Sequence, residues 1–132
     1  MKEVFDLLEK FGVYHIATVD ADGKPHVRPF GSKMILDGHF YISCSLPKKV
    51  YDQLSANGSV EISSCGQGME WLRINAFARE VTNSDEKKKV YDNSIYAAPD
   101  SPIKREIGEV AFFELTRATA THYGQEQIEY KW

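Results

Sequence analysis

The chain has 132 residues, enough for one domain with a real core and too few for two ordinary ones. Its formal charge of −3 argues against nucleic acid or an anionic membrane as the main partner, since both reward a strongly basic surface. Two cysteines without CxxC spacing, no secretory leader and no apolar run near the ~20 residues of a membrane span point to a reduced, cytoplasmic setting.

Val4, Leu7, Leu8 and Phe11 recur at three- and four-residue spacing. This gives a first helix one apolar face, and Gly12 is placed to end it, so the helix reads as a lid on a sheet. Strands follow. Tyr14 to Val19 and Pro25 to Phe30 form a hairpin around Asp20-Ala-Asp-Gly23, because Asp-Gly permits the positive φ of a tight turn. Ser32 to Leu36 reads as a third strand, Asp37-Gly38 as a turn and His39 to Ser43 as a fourth strand. Pro47 suits the first turn of a second helix, which carries Val50, Tyr51 and Leu54 and stops at Asn57-Gly58. Ser59 to Ser64 and Glu70 to Val81 alternate as two long paired strands, with Gly66 and Gly68 turning between them. Asn83-Ser-Asp-Glu86 has the form of a helix N-cap with a reciprocal glutamate, so residues 85–93 are predicted helical. Residues 97–102 are turn-rich, Val110 to Thr116 is a strand, and Ala118 to Tyr123 with Ile128 to Trp132 forms a last hairpin. Many short strands with about three helices predict a mainly β fold, a barrel with flanking helices rather than a parallel sheet.

One run concentrates chemistry. Arg28 closes a hairpin arm, Ser43, Cys44 and Ser45 end the fourth strand, and Lys48 and Lys49 stand where the second helix starts. A phosphate wants fork-like charged donors, hydroxyls and the positive end of a helix dipole, and these residues offer all three in order. Taken singly, an arginine in a strand reads as solvated. Lysines at a helix start oppose the dipole unless an anion is present. Trp71 and Arg73 share one strand face, where a tryptophan at a core or subunit seam is the plain alternative. The four histidines lack metal-ligand spacing, so no metal site is expected. Lys87 to Lys89, beside Asp85 and Glu86, read as a solvated helix face. No nucleophile–base pair, Rossmann-type loop or paired carboxylates emerge, which suits a protein whose cofactor carries the chemistry.

His15-Ile-Ala-Thr18, Gly23-Lys-Pro-His-Val-Arg-Pro-Phe30, Asp37-Gly-x-Phe-Tyr-Ile42, Lys48-x-Val-Tyr-x-x-Leu54 and Gly68-x-x-Trp-Leu-Arg73 together resemble the pyridoxamine 5'-phosphate oxidase-like, FMN-binding split-barrel family. Within it the chain is most similar to the nitroimidazole-resistance (Nim) and general-stress-protein branches, over nearly its whole length. The resemblance implies an antiparallel split β-barrel of Greek-key type spanning residues 1–132 as one domain. It implies FMN as cofactor, a homodimer with the flavin between subunits, and two-electron transfer from reduced flavin to a small acceptor such as a nitroaromatic compound. The implied cofactor contacts are Arg28, Pro29, Phe30, Ile42, Ser43, Cys44, Ser45, Lys48, Lys49, Trp71 and Arg73, with the last two near the subunit interface. Cys44 departs from the Thr, Ser or Asn common in relatives and is a poorer donor. Pyridoxamine-phosphate oxidation itself is not expected, since Glu126 to Trp132 is mixed in charge and offers no second phosphate clamp. A flavin or haem carrier or stress sensor without turnover is the alternative that the same fold allows.

Overall fold

The computed structural model describes residues 1–132. Helix α1 (Lys2–Phe11) buries Val4 and Leu8 completely, and Gly12 ends it at φ 89° with its N–H returned to Leu8 O. Strands β1 (Tyr14–Val19) and β2 (Pro25–Phe30) pair antiparallel, Tyr14 opposite Phe30 and Val19 opposite Pro25. In the turn between them Gly23 takes φ 82°, and Asp20 Oδ1 accepts from the N–H groups of Asp22 and Lys24. Short β3 (Met34–Leu36) and β4 (His39–Ser45) make the second hairpin, through Asp37 and Gly38 at φ 49° and 80°. Helix α2 (Lys49–Ala56) follows, then β5 (Ser59–Cys65), β6 (Trp71–Glu80), α3 (Ser84–Asp92), β7 (Val110–Tyr123) and β8 (Gln127–Lys131).

The strands form one antiparallel sheet in the order β2-β1-β5-β6-β7-β4-β3, with β8 also on β7. Its two edges, β2 and β3, are consecutive in the chain. Only Gly31, Ser32 and Lys33 join them, and three residues reach roughly 10–14 Å, so the sheet must curl until its edges nearly meet. That is a split barrel. The inner side holds Ile16, Phe40, Ile42, Ile62, Leu72, Ile74, Phe113 and Leu115, all essentially inaccessible to solvent. A smaller cluster on the other side of β4 and β7 packs Tyr41, Phe112 and Val110 against Val90 of α3 and Tyr96. Gly58 is required by space: a Cβ there would lie 2.7 Å from the Phe77 ring.

Three expectations need correction. Pro47 lies before α2 rather than in its first turn; Lys48 is the N-cap, and the Leu46–Pro47 peptide is cis. The segments 110–116 and 118–123 are one strand, β7, which runs on through Arg117 at φ 48°, opposite a register shift at Asn75 and Phe77. Its first half pairs with β4 and its second with β8. Asn83 does cap α3 by accepting from Glu86 N–H at 3.0 Å, but Glu86 does not reciprocate. Its carboxylate binds Arg79 at 2.7 Å and Tyr41 at 3.3 Å instead. Asn83→Ala is therefore expected to destabilise the fold by about 1 kcal/mol, read from the urea midpoint at constant m-value.

Candidate functional site

A groove of about 900 Å³ opens where the barrel is split. One wall is the end of β2, the 31–33 bend and β3; the floor is β4; the start of α2 and the 93–105 segment complete it. Arg28, Pro29, Phe30, Ile42, Ser43, Cys44, Ser45, Lys48 and Lys49 all line it. The structure thus brings together nine of the residues singled out in the sequence. Trp71 and Arg73 lie elsewhere, on the outward sheet face, where Trp71 stacks on Tyr123 at 4.2 Å and the Arg73 guanidinium sits over Trp71.

Strand alternation divides β4 into two faces. Phe40, Ile42 and Cys44 join the barrel core, whereas Tyr41 and Ser43 face the side of Phe112 and Tyr96. Cys44 borders the groove, yet its side chain is buried in the core cluster. Burial pushes its thiol up to about 11 against the opposing pull of Lys48, so it is a neutral thiol at physiological pH.

Arg28 stands opposite Ile16 in the β1–β2 register, which turns its side chain inward toward α2. Its guanidinium donates to Thr18 Oγ1 at 2.8 Å, Gln53 Oε1 at 2.5 Å and Ile16 O at 3.3 Å. All three acceptors are neutral. Desolvation accordingly lowers its pKa, though a guanidinium stays charged. Lys48, Lys49 and Arg105 also make no ion pair, and the one acid in the wall, Glu9, is committed to Lys33 at 2.7 Å. Four uncompensated cations in one groove of a chain with net charge −3 make a local anion trap.

The far wall was not anticipated from the sequence. Asn93 to Tyr96, Ile103 and Arg105 line it, with Ile95 and Ile103 exposed at 51% and 44%. Tyr96 is the exception, buried against Phe112 with its hydroxyl 3.0 Å from Ser43 Oγ. The only advance signal was an apolar pair and a tyrosine in a segment otherwise rich in turn residues. His26, next to Arg28 by alternation, bonds Asp20 at 2.8 Å and does not enter the groove.

Among known proteins, solved structures share this architecture. A nimC/nimA family protein from Clostridium acetobutylicum superposes with a TM-score of 0.83 at 26% identity, covering 100% of this chain and 92% of that one. General Stress Protein 26 from Bacillus anthracis gives 0.64 at 16% identity, covering 98% and 97%. A histidine-to-alanine variant of HupZ from Group A Streptococcus gives 0.62 at 20% identity, covering 91% and 98%. Comparison with curated proteins finds no match. No helix is long and apolar enough to cross a membrane. The family model for pyridoxamine 5'-phosphate oxidase matches residues 1–123, nearly the whole split barrel and every residue of the groove, and this chain belongs to that family.

Proposed function

We propose that the groove binds FMN and that the protein is an FMN-dependent oxidoreductase acting as a homodimer. The observation that carries this reading is the set of unpaired cations, Arg28, Lys48 and Lys49, gathered with Ser43 and Ser45 beside an apolar remainder. A phosphate monoester carries nearly two negative charges at neutral pH and suits the first part. Phe30, Met34, Ile95 and Ile103 suit a flat aromatic ring system. Bound flavin supplies two-electron chemistry, while the chain binds its phosphate, orients the ring and sheds water from the groove. The acceptor is a small molecule, and similarity to a nimC/nimA family protein makes nitroaromatic compounds the first to assay.

The dimer is supported by an outward face that one chain leaves bare. Val27 on edge strand β2 is 68% exposed, with Pro29 and His15 exposed beside it. Pairing carries that row across the sheet from Pro29 to His15, Ser63 and Arg73. Trp71 and Arg73 therefore belong to the surface a second copy would cover, consistent with their implied place at the interface.

The test is the cofactor released on denaturing freshly purified protein, identified by mass and visible spectrum, together with the native mass in solution. Expected are FMN and a dimer. Protein that is colourless and takes up no added FMN, or is strictly monomeric, overturns the reading. Bleaching by NAD(P)H followed by reoxidation with a nitroaromatic acceptor separates an enzyme from an inert carrier or sensor.

A further inference from the structure

Three hydroxyls stand in line on the groove wall. Ser32 Oγ is hydrogen-bonded to Ser43 Oγ, which is in turn bonded to the Tyr96 hydroxyl. Buried Tyr14 fixes the near end by donating its own hydroxyl to Ser32 O. The far end is fixed by the Tyr96 ring, edge-on to Phe112 at 6.1 Å between centroids. The line thus joins the 31–33 bend, β4 and the 93–105 segment, three separate parts of the groove.

Each hydroxyl has one proton and can accept twice. Two links among three hydroxyls use two protons and leave one to spare. If the bonds run in one direction, the spare proton sits at Tyr96 or at Ser32. If both neighbours donate inward, it sits on Ser43, which then accepts twice and donates onward as a polarised group. Phosphate oxygens of a dianion accept and cannot donate, so a phosphate seated at Ser43 selects this last arrangement. Ser43 shares a strand face with Ser45, and both line the groove with the unpaired Lys48 and Lys49.

We infer that Tyr96 is a positioning residue for the phosphate of the flavin, acting through Ser43, and that it makes the groove prefer FMN to riboflavin. The inference rests on the FMN reading above and deepens it. Tyr96 contributes its proton to Ser43, and Ser43 offers the donor to the ligand. Without the Tyr96 hydroxyl, Ser43 keeps its proton but loses the bond that polarises and aims it, an effect bounded by the roughly ten-fold that one whole donor to a charged oxygen is worth.

Titrating FMN and riboflavin into wild type, Tyr96→Phe, Ser43→Ala and the double variant tests this. The FMN-over-riboflavin preference should fall, by up to about ten-fold, in Tyr96→Phe with riboflavin affinity unchanged. In the Ser43→Ala background, Tyr96→Phe should change the preference no further. Equal losses for both ligands, no loss for either, or independent effects of the two substitutions would overturn the inference while leaving FMN binding intact. Wild type with no preference for FMN would overturn it together with the FMN reading. Should Tyr96→Phe fail to fold, Ser32→Ala tests the other end of the same line: it should lower the preference, and an unchanged preference refutes the inference.

Discussion

Replacing both Arg28 and Lys48 by alanine is expected to weaken FMN binding by a factor of about 10² to 10⁴, while the melting temperature of the ligand-free protein changes little. Each residue offers a charge-assisted bond to an anion, worth about 1.5–3 kcal/mol, and the pair together accounts for that range. The small stability cost follows from what each leaves behind. Thr18 and Gln53 lose the guanidinium but keep each other, at 2.6 Å. Lys48 has no ion-pair partner to strand. Removing an uncompensated, partly buried cation also relieves a desolvation cost. Isothermal titration and a thermal melt decide the matter. Unchanged affinity would remove both residues from the site, and a collapsed melting temperature would make Arg28 a structural residue.

The second large effect concerns stability. Arg79→Met is expected to cost about 2 kcal/mol at neutral pH. Arg79 Nε donates to Glu114 at 3.0 Å, and its terminal nitrogen to Glu86 at 2.7 Å, tying β6 and β7 to α3. Glu114 is only 12% exposed at its side chain, so it would be left buried with His39 as its remaining partner, at 2.5 Å. Arg79 is 43% exposed, which keeps the figure below that for a fully buried pair. Burial alone would raise the Glu114 pKa; the bonds from Arg79 and His39 outweigh it and hold the carboxyl below its ordinary value of 4.5. Glu86 is held low chiefly by Arg79, with Tyr41 adding a bond. Both carboxylates are thus more acidic folded than unfolded. Their contribution is complete above about pH 4.5 to 5 and is lost as pH falls through the lower folded values. In Arg79→Met burial dominates at Glu114 and this acid-side slope should flatten or reverse. Urea unfolding at pH 7, 5 and 4 measures it, and a slope equal to wild type would refute the account.

Much of the fold could be read from the chain because its strands alternate and its turns carry Asp-Gly, which physics ties to positive φ. The failures share another cause. Arg117 takes a left-handed conformation without being glycine, so nothing in the local sequence said that β7 passes straight through it. Glu86 has the spacing of a capping glutamate, and a tertiary partner, Arg79, outcompetes the local bond. The site divides in the same way. Its near wall was legible because residues 28–49 are almost contiguous and bunch cations with hydroxyls. The far wall was not, because the role of Tyr96 depends on Ser43, 53 residues away, and no periodicity announces such a pairing.

The two faces of β4 also separate what natural variation can change. Odd positions, Tyr41, Ser43 and Ser45, are free of the barrel interior, and even positions, Phe40, Ile42 and Cys44, are packed into it. Exchange at Ser43 or Ser45 reaches the groove before the barrel, exchange at Tyr41 disturbs the cluster beneath α3, and exchange at an even position taxes the barrel first. A one-residue slip of β4 against β7 would swap these parities, turning Ser43 and Ser45 into the barrel core and the Ile42 and Cys44 side chains out of it. The pairing of β4 with β7 is thus what keeps its polar residues and its core residues on opposite sides of one strand.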